Sequence, residues 1–188
     1  TYKWQDVAVK AAPLIIIALG LSIGNRANVW NIGAEGQYII GALCAAGIGI
    51  AAGPVGGPII ILAMLIAGMA GGTAWAAVPA ALKTRFGVNE ILSSLMLTYV
   101  AVQVLSYLVG GPWKDPNGRN FPATAPLTAE QALPILIPGT TVHLGIAVAL
   151  VLPFVFWLVM SRSVFGYQVR VVGSAPNAAR HGGFDSDQ

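Results

Sequence analysis

The chain has 188 residues, a net charge of +3 and only 9% Asp, Glu, Lys and Arg, against roughly 25% charged residues in soluble globular domains. No charged residue occurs between Glu35 and Lys83, between Glu90 and Lys114, or between Glu130 and Arg162. That much uninterrupted apolar sequence excludes a soluble domain, and the basic residues are too scattered along the loops to form a nucleic-acid footprint; the fold class is all-α, a polytopic transmembrane helical bundle.

In chain order the sequence offers five spans. Residues 1–10, with Lys3, Trp4, Asp6 and Lys10, read as an interfacial lead-in, and the first span covers about Val7 to Gly24. The stretch Trp30-Asn31-Ile32-Gly33-Ala34-Glu35-Gly36-Gln37 then places an acid, two amides and two glycines between two apolar segments. Ala11 to Gly24 is 14 residues long and Tyr38 to Ala52 is 15, whereas a straight crossing takes roughly 20. Two readings stand side by side. One is a discontinuous helix whose polar break marks a substrate path. The other is a surface loop with Trp30 as an interfacial anchor and Glu35 at a helix N-terminus.

The second span runs from about Gly36 to Ala52, and the uncharged turn Gly53-Pro54-Val55-Gly56-Gly57-Pro58 reverses the chain. The third span, Ile59 to Leu82, is long enough to cross with tilt. A short basic loop carrying Lys83 and Arg85 leads to Asn89-Glu90 and a fourth span, Ile91 to Val109. The proline-rich segment 110–131 shows little periodicity, and the fifth span lies within Leu133 to Met160, starting after Pro138-Gly139. The rest, 161–188, is polar. The distribution of Lys and Arg favours a cytoplasmic tail, with Arg26, Lys83, Arg85, Arg162, Arg170 and Arg180 inside and Lys3, Lys10, Lys114 and Arg119 outside. With no Met at position 1 and no closing element after Gln188, the chain reads as a fragment of a larger protein.

Glycine pairs four apart, Gly20/Gly24, Gly49/Gly53 and Gly68/Gly72, are expected to let helix backbones approach closely. Cys44 lies in an apolar run, which argues against a disulfide framework or a cysteine metal site. Gly20-Leu21-Ser22-Ile23-Gly24 matches the hydrolase nucleophile pattern in form alone, since that pattern has meaning only on a strand-to-helix turn with a base nearby. No Gly-x-x-x-x-Gly-Lys loop is present, so nucleotide hydrolysis is not expected of this chain. Glu90, Ser94 and Thr98 fall four apart on one helical stripe that faces other helices or water, and Ser93, Ser94 and Thr98 are expected to hydrogen-bond between helices. Asn89 and Glu90 also suit the start of a helix. In the tail, Ser174 to Gly183 reads as a short helix capped by Ser174, with Pro176 in its first turn and glycine at its end.

These motifs together resemble the permease subunits of ATP-binding-cassette importers for simple sugars and nucleosides, within the branched-chain amino acid and ribose permease group. The stretch Asn31 to Gln37 is similar to that family's Asn-Ile-Gly-Ala-Glu-Gly-Gln motif. Lys83, Gly87, Asn89, Glu90, Ile91, Ser93, Met96, Leu97 and Tyr99 follow a second, with Thr98 where Asn is usual. Gly166, Arg170, Gly173, Pro176, Ala178, Ala179 and Gly183 follow the cytoplasmic coupling segment, with Ala175 and Phe184 as departures.

The resemblance implies that residues 1–188 are part of one transmembrane permease domain, lacking a first span and the C-terminal half, with 161–188 as the segment that couples to the ATPase. It implies no enzymatic activity and no cofactor on this chain, ATP being bound by partner subunits. The expected partners are a second permease subunit in a homo- or heterodimer, a cytoplasmic ATP-binding-cassette ATPase, an extracytoplasmic substrate-binding protein and the lipid bilayer. The expected location is a bacterial or archaeal plasma (inner) membrane. Asn31, Glu35, Gln37, Asn89 and Glu90 become candidates for the substrate path. Two alternatives stay open: an ion-coupled transporter or channel using the charge of Glu35, and an intramembrane hydrolase using Ser22.

Overall fold

A computed structural model describes residues 3–116 and 122–175. Six helices account for most of them: α1 (Lys3–Arg26), α2 (Ala34–Ala52), α3 (Pro58–Phe86), α4 (Glu90–Gly110), α5 (Leu144–Arg162) and α6 (Val164–Ser174). The first five are long and apolar enough to cross a membrane. Among the described residues there is no strand, only two isolated bridges in the loops. The five expected spans are therefore all present, with boundaries that differ in instructive places.

The chain divides into two compact units, residues 1–31 with 133–188 and residues 32–132. In the first, α1 packs on α5 and α6. Its core is small, with Ala12, Ile146 and Ala149 buried and Ala8, Val9 and Val142 packed around them. The expected interfacial lead-in is instead the first turns of α1. Gln5 is buried there, its Oε1 accepting from the Thr141 N–H at 3.3 Å, so a tertiary partner draws polar residues into the helix. Before α5, residues 135–143 form a tight hairpin in which Leu136 N–H donates to the Val142 carbonyl and Gly139 takes φ 79°. That hairpin delays α5 to Leu144, where His143 caps it by accepting from Gly145 N–H through Nδ1.

In the second unit α2 lies along α3 and packs also on α4. The α2–α3 seam is built from glycine, as the spacing of Gly68 and Gly72 predicts. A Cβ added to Gly41 would lie 2.9 Å from the Gly68 carbonyl oxygen, and one on Gly72 3.3 Å from the Gln37 carbonyl oxygen. Gly71 leaves room for the Cys44 side chain, and Gly49 for those of Leu127 and Met64, whereas its expected pair Gly53 has nothing within 4 Å and brings no backbone close. Backbone-close packing of this kind is what holds helices together where no hydrophobic drive separates them from lipid. The Gly20/Gly24 pair does not behave likewise: nothing lies within 4 Å of a Cβ on Gly20, and Gly24 faces only the carbonyl of Val29.

After α4 the chain returns over the α2–α3 turn. Gly57 N–H donates to the Glu130 carbonyl, and the buried Gln131 side chain donates through Nε2 to the carbonyls of Gly49, Gly53 and Val55 at 2.9–3.1 Å. One amide thus serves a carbonyl that the last turn of α2 leaves without a helical partner and two in the turn that follows.

Candidate functional site

The polar stretch begins where α1 stops. Asn28 N–H donates to the Asn25 carbonyl and Val29 N–H to the Gly24 carbonyl, with Asn28 at φ 59°. This is the paired closure of a helix C-terminus in which the left-handed residue is usually Gly and sometimes Asn. Trp30 and Ile32 are exposed, Asn31 is half-buried, and Gly33 precedes α2. Glu35 lies exposed in the first turn of α2, where its charge complements the positive end of the helix. The flanking helices are 24 and 19 residues long, so neither is the half-length piece that a discontinuous helix supplies. The apolar count upstream came out short because α1 runs on through Lys10 and Asp6.

Gly36 is the hinge of the packing at this end of α2. A Cβ there would sit 2.9 Å from Thr98 Cα, 3.1 Å from its Oγ1 and 3.3 Å from Trp75 Nε1. Three helices therefore meet at one glycine of the motif. Ser94 and Thr98 are buried, 2% and 7% exposed, yet they do not bond between helices as their stripe suggested. Ser93 Oγ donates to the Glu90 carbonyl, Ser94 Oγ to Ile91 and Thr98 Oγ1 to Ser94, all within α4. Hydroxyls satisfied on their own helix can be buried without a partner elsewhere. Ser22 does the same with the Leu19 carbonyl.

Asn89 caps α4, its Oδ1 accepting from Ile91 N–H at 2.9 Å and Leu92 N–H at 3.4 Å. Glu90 pairs with Lys83 at the end of α3 at 2.6 Å, the two side chains 24% and 41% exposed. The ion pair and the left-handed Gly87 (φ 63°) fix the short α3–α4 connection. Glu35 and Gln37 thus stand in the first turn of α2, and Asn89 and Glu90 at the start of α4, two helices that pack through Gly36 and Thr98. A groove of about 750 Å³ also runs along α2, α3 and α4, past Ile40, Leu43, Cys44, Val104, Leu108 and Trp113. Its lining offers few hydrogen-bonding groups.

In the tail the structure describes residues as far as Ala175. Residues 164–174 form one helix, α6, capped by Ser163, whose Oγ accepts from Gly166 N–H. Ser174 is the last residue of this helix, its Oγ donating to the Arg170 carbonyl at 2.8 Å. The helix expected over 174–183 lies outside the described residues after Ala175. Gly166 is buried against Met160, a Cβ there overlapping the Met160 carbonyl oxygen and lying 2.6 Å from its Cα. Gly173 meets the end of α1, and Arg170 is exposed. Pro176, Ala178, Ala179 and Gly183 lie outside the described residues.

The family described as the permease component of branched-chain amino acid transport systems matches residues 4–188. The chain belongs to that permease family. The permease is 38% identical over 190 residues to a glucose ABC transporter permease protein of Haloferax volcanii, covering 95% of this chain and 49% of the relative. It is 30% identical over 186 residues to a guanosine ABC transporter permease protein of Bacillus subtilis (97% and 52%). It is also 28% identical over 187 residues to a probable riboflavin import permease protein of Treponema pallidum (93% and 46%). The chain spans about half the length of the curated relatives it matches. No solved structure matches it.

Two residues of the permease escape a reading of its sequence. Trp75 reads as an ordinary apolar residue of a span, yet its buried Nε1 has no hydrogen-bond partner and abuts Gly36. Gln131 reads as loop polarity, and only its three carbonyl partners, more than 70 positions away, reveal its work. Among the described residues no three His, Cys, Asp or Glu side chains converge as metal ligands would.

Proposed function

We propose that the chain is part of a transmembrane permease subunit that forms the translocation path of an ATP-binding-cassette importer for nucleosides or simple sugars. The observation that carries this reading is the match to the permease family over residues 4–188, joined to relatives named for glucose and guanosine transport. In this reading a separate cytoplasmic ATPase engages the segment 161–188, and an extracytoplasmic binding protein delivers the cargo. A second permease subunit completes the path in a bacterial or archaeal inner membrane. Asn31, Glu35 and Gln37, around the first turn of α2, and Asn89 and Glu90, at the start of α4, line or brace the path. Positive ends of two helices support it, because such ends suit the polar and anionic groups that a hydrocarbon-facing surface cannot hold. In this reading Arg26, Lys83, Arg85 and Arg162, at the ends of α1, α3 and α5, face the cytoplasm, as the distribution of Lys and Arg favours.

The test is uptake of labelled guanosine and glucose into vesicles carrying the full-length protein with its ATPase, its second permease subunit and its binding protein. Uptake of either that requires internal ATP and a functional ATPase supports the reading. ATP-independent uptake that follows a proton gradient and is abolished by Glu35→Gln replaces it with ion-coupled transport.

A further inference from the structure

Three features of the first unit converge at the end of α1. The helix closes with Asn28 in the left-handed conformation, and the two closing bonds, Asn28 N–H to Asn25 and Val29 N–H to Gly24, fix the direction in which the chain leaves. The Arg26 guanidinium lies over the Phe156 ring of α5, 5.8 Å from its centroid. The Arg26 carbonyl, on the backbone of the same residue, receives Gly173 of α6. A Cβ on Gly173 would overlap that carbonyl oxygen and stand 2.9 Å from the carbonyl carbon and 3.2 Å from Ala27 Cα. No flexible side chain lies between the two backbones.

The other end of α6 is seated in the same manner, Gly166 against the backbone of Met160. Seven residues separate Gly166 from Gly173, close to two full turns, so both contacts fall on nearly the same face of the helix. α6 is therefore a short rigid element touching α5 at one end and α1 at the other. Its second contact lies one or two residues before Asn28, whose φ sets the path of the connection to α2. Interfaces between packed backbones do not deform gradually and pass displacement on.

We propose that Gly173 is a positioning residue through which movement of α6 is delivered to the turn at Arg26–Asn28, and so to the polar stretch that follows. This rests on the reading of segment 161–188 as the part that engages the ATPase. Any side chain at position 173 would force α6 away from Arg26 and disconnect the two.

The experiment uses the full-length protein with its ATPase, in a Cys44→Ala background carrying Val29→Cys. Val29 is 40% exposed and follows the turn directly. The labelling rate of Val29→Cys by a small maleimide is measured with and without ATP. The expected result is a nucleotide-dependent rate in the parent that is lost in Gly173→Ala, while the ATPase still co-purifies and still hydrolyses ATP. A Gly173→Ala protein that keeps the nucleotide response overturns the proposal. So does one that sheds the ATPase, since that would make Gly173 part of the ATPase contact and leave the coupling reading standing. A parent protein that never retains the ATPase shows instead that the coupling reading itself has failed. Where Gly173→Ala does not insert, Val172→Gly keeps the contact but slackens the helix. It must weaken the nucleotide response, and an unchanged response overturns the proposal as well.

Discussion

At the scale of single residues, the permease spends its polar side chains on its own backbone. Gln131 is the strongest case, because one buried amide answers three carbonyls at the end of α2 and the turn after it. Gln131→Leu removes that donor and leaves buried acceptors short, a loss of about 1–3 kcal/mol. It should lower the melting temperature of the detergent-solubilised protein, whereas Gly20→Ala, with open space around the added methyl, should not. Asn89 offers a second test. If its work is the cap of α4, Asn89→Ser keeps both stability and uptake, while Asn89→Ala loses about 1 kcal/mol. Loss of uptake in the well-folded serine variant would assign the side chain to the path as well. Asn89 as a helix start was legible, since a cap is a local matter of side chain and neighbouring N–H groups. Gln131 was not, because nothing within a few residues of it predicts acceptors so distant in sequence.

At the scale of elements, the sequence carried the number and order of the spans, because a hydrocarbon solvent leaves only long apolar helices as an option. It carried the ends less well. Charge counting stopped the first span at Val7, yet α1 extends to Lys3 with Gln5 buried against Thr141. In the tail Ser174 belongs to the last turn of α6, its hydroxyl donating back to Arg170, a role that serine near a helix end can take as readily as a cap. The α2–α3 seam was legible through its glycine spacing, and it makes a sharp prediction. A Cβ on Gly71 would overlap Cys44 Sγ and lie 2.9 Å from Cys44 Cβ, a little closer than the roughly 3.5–4.5 Å of a disulfide. With slight relaxation, Gly71→Cys should form a disulfide with Cys44 under mild oxidation. A mobility shift on non-reducing gels, absent when Cys44 is also replaced by Ala, checks it.

At the scale of the whole molecule, the polar stretch after α1 either lines the path or lies at the surface, and the two environments react differently. Full-length helices flank it on both sides, and what sets it apart is its chemistry, an acid and two amides among glycines. A cysteine scan of positions 31–37 in the Cys44→Ala background, using membrane-permeant and impermeant reagents, decides between path and surface. On the path reading, cysteines at 31, 35 and 37 react more slowly when substrate is present. Uniform labelling from the cytoplasm, with no protection by substrate, would leave only a surface loop.

The pairing of α1 with α5 and of α2 with α3 also fixes a timetable for synthesis. The α2 and α3 helices are joined by a five-residue turn, so their glycine seam can close almost as soon as the second of them has emerged. The Ala8 and Ala12 face of α1 has to wait for Ile146 and Ala149, which leave the ribosome more than a hundred residues after Arg26. At ordinary rates of translation that delay is on the order of ten seconds. During it α1 is without the α5 neighbour it packs on in the finished unit. A nascent chain arrested before Leu144 should therefore cross-link from position 12 to lipid or to the insertion machinery, and only a chain in which α5 has emerged should cross-link from position 12 to α5.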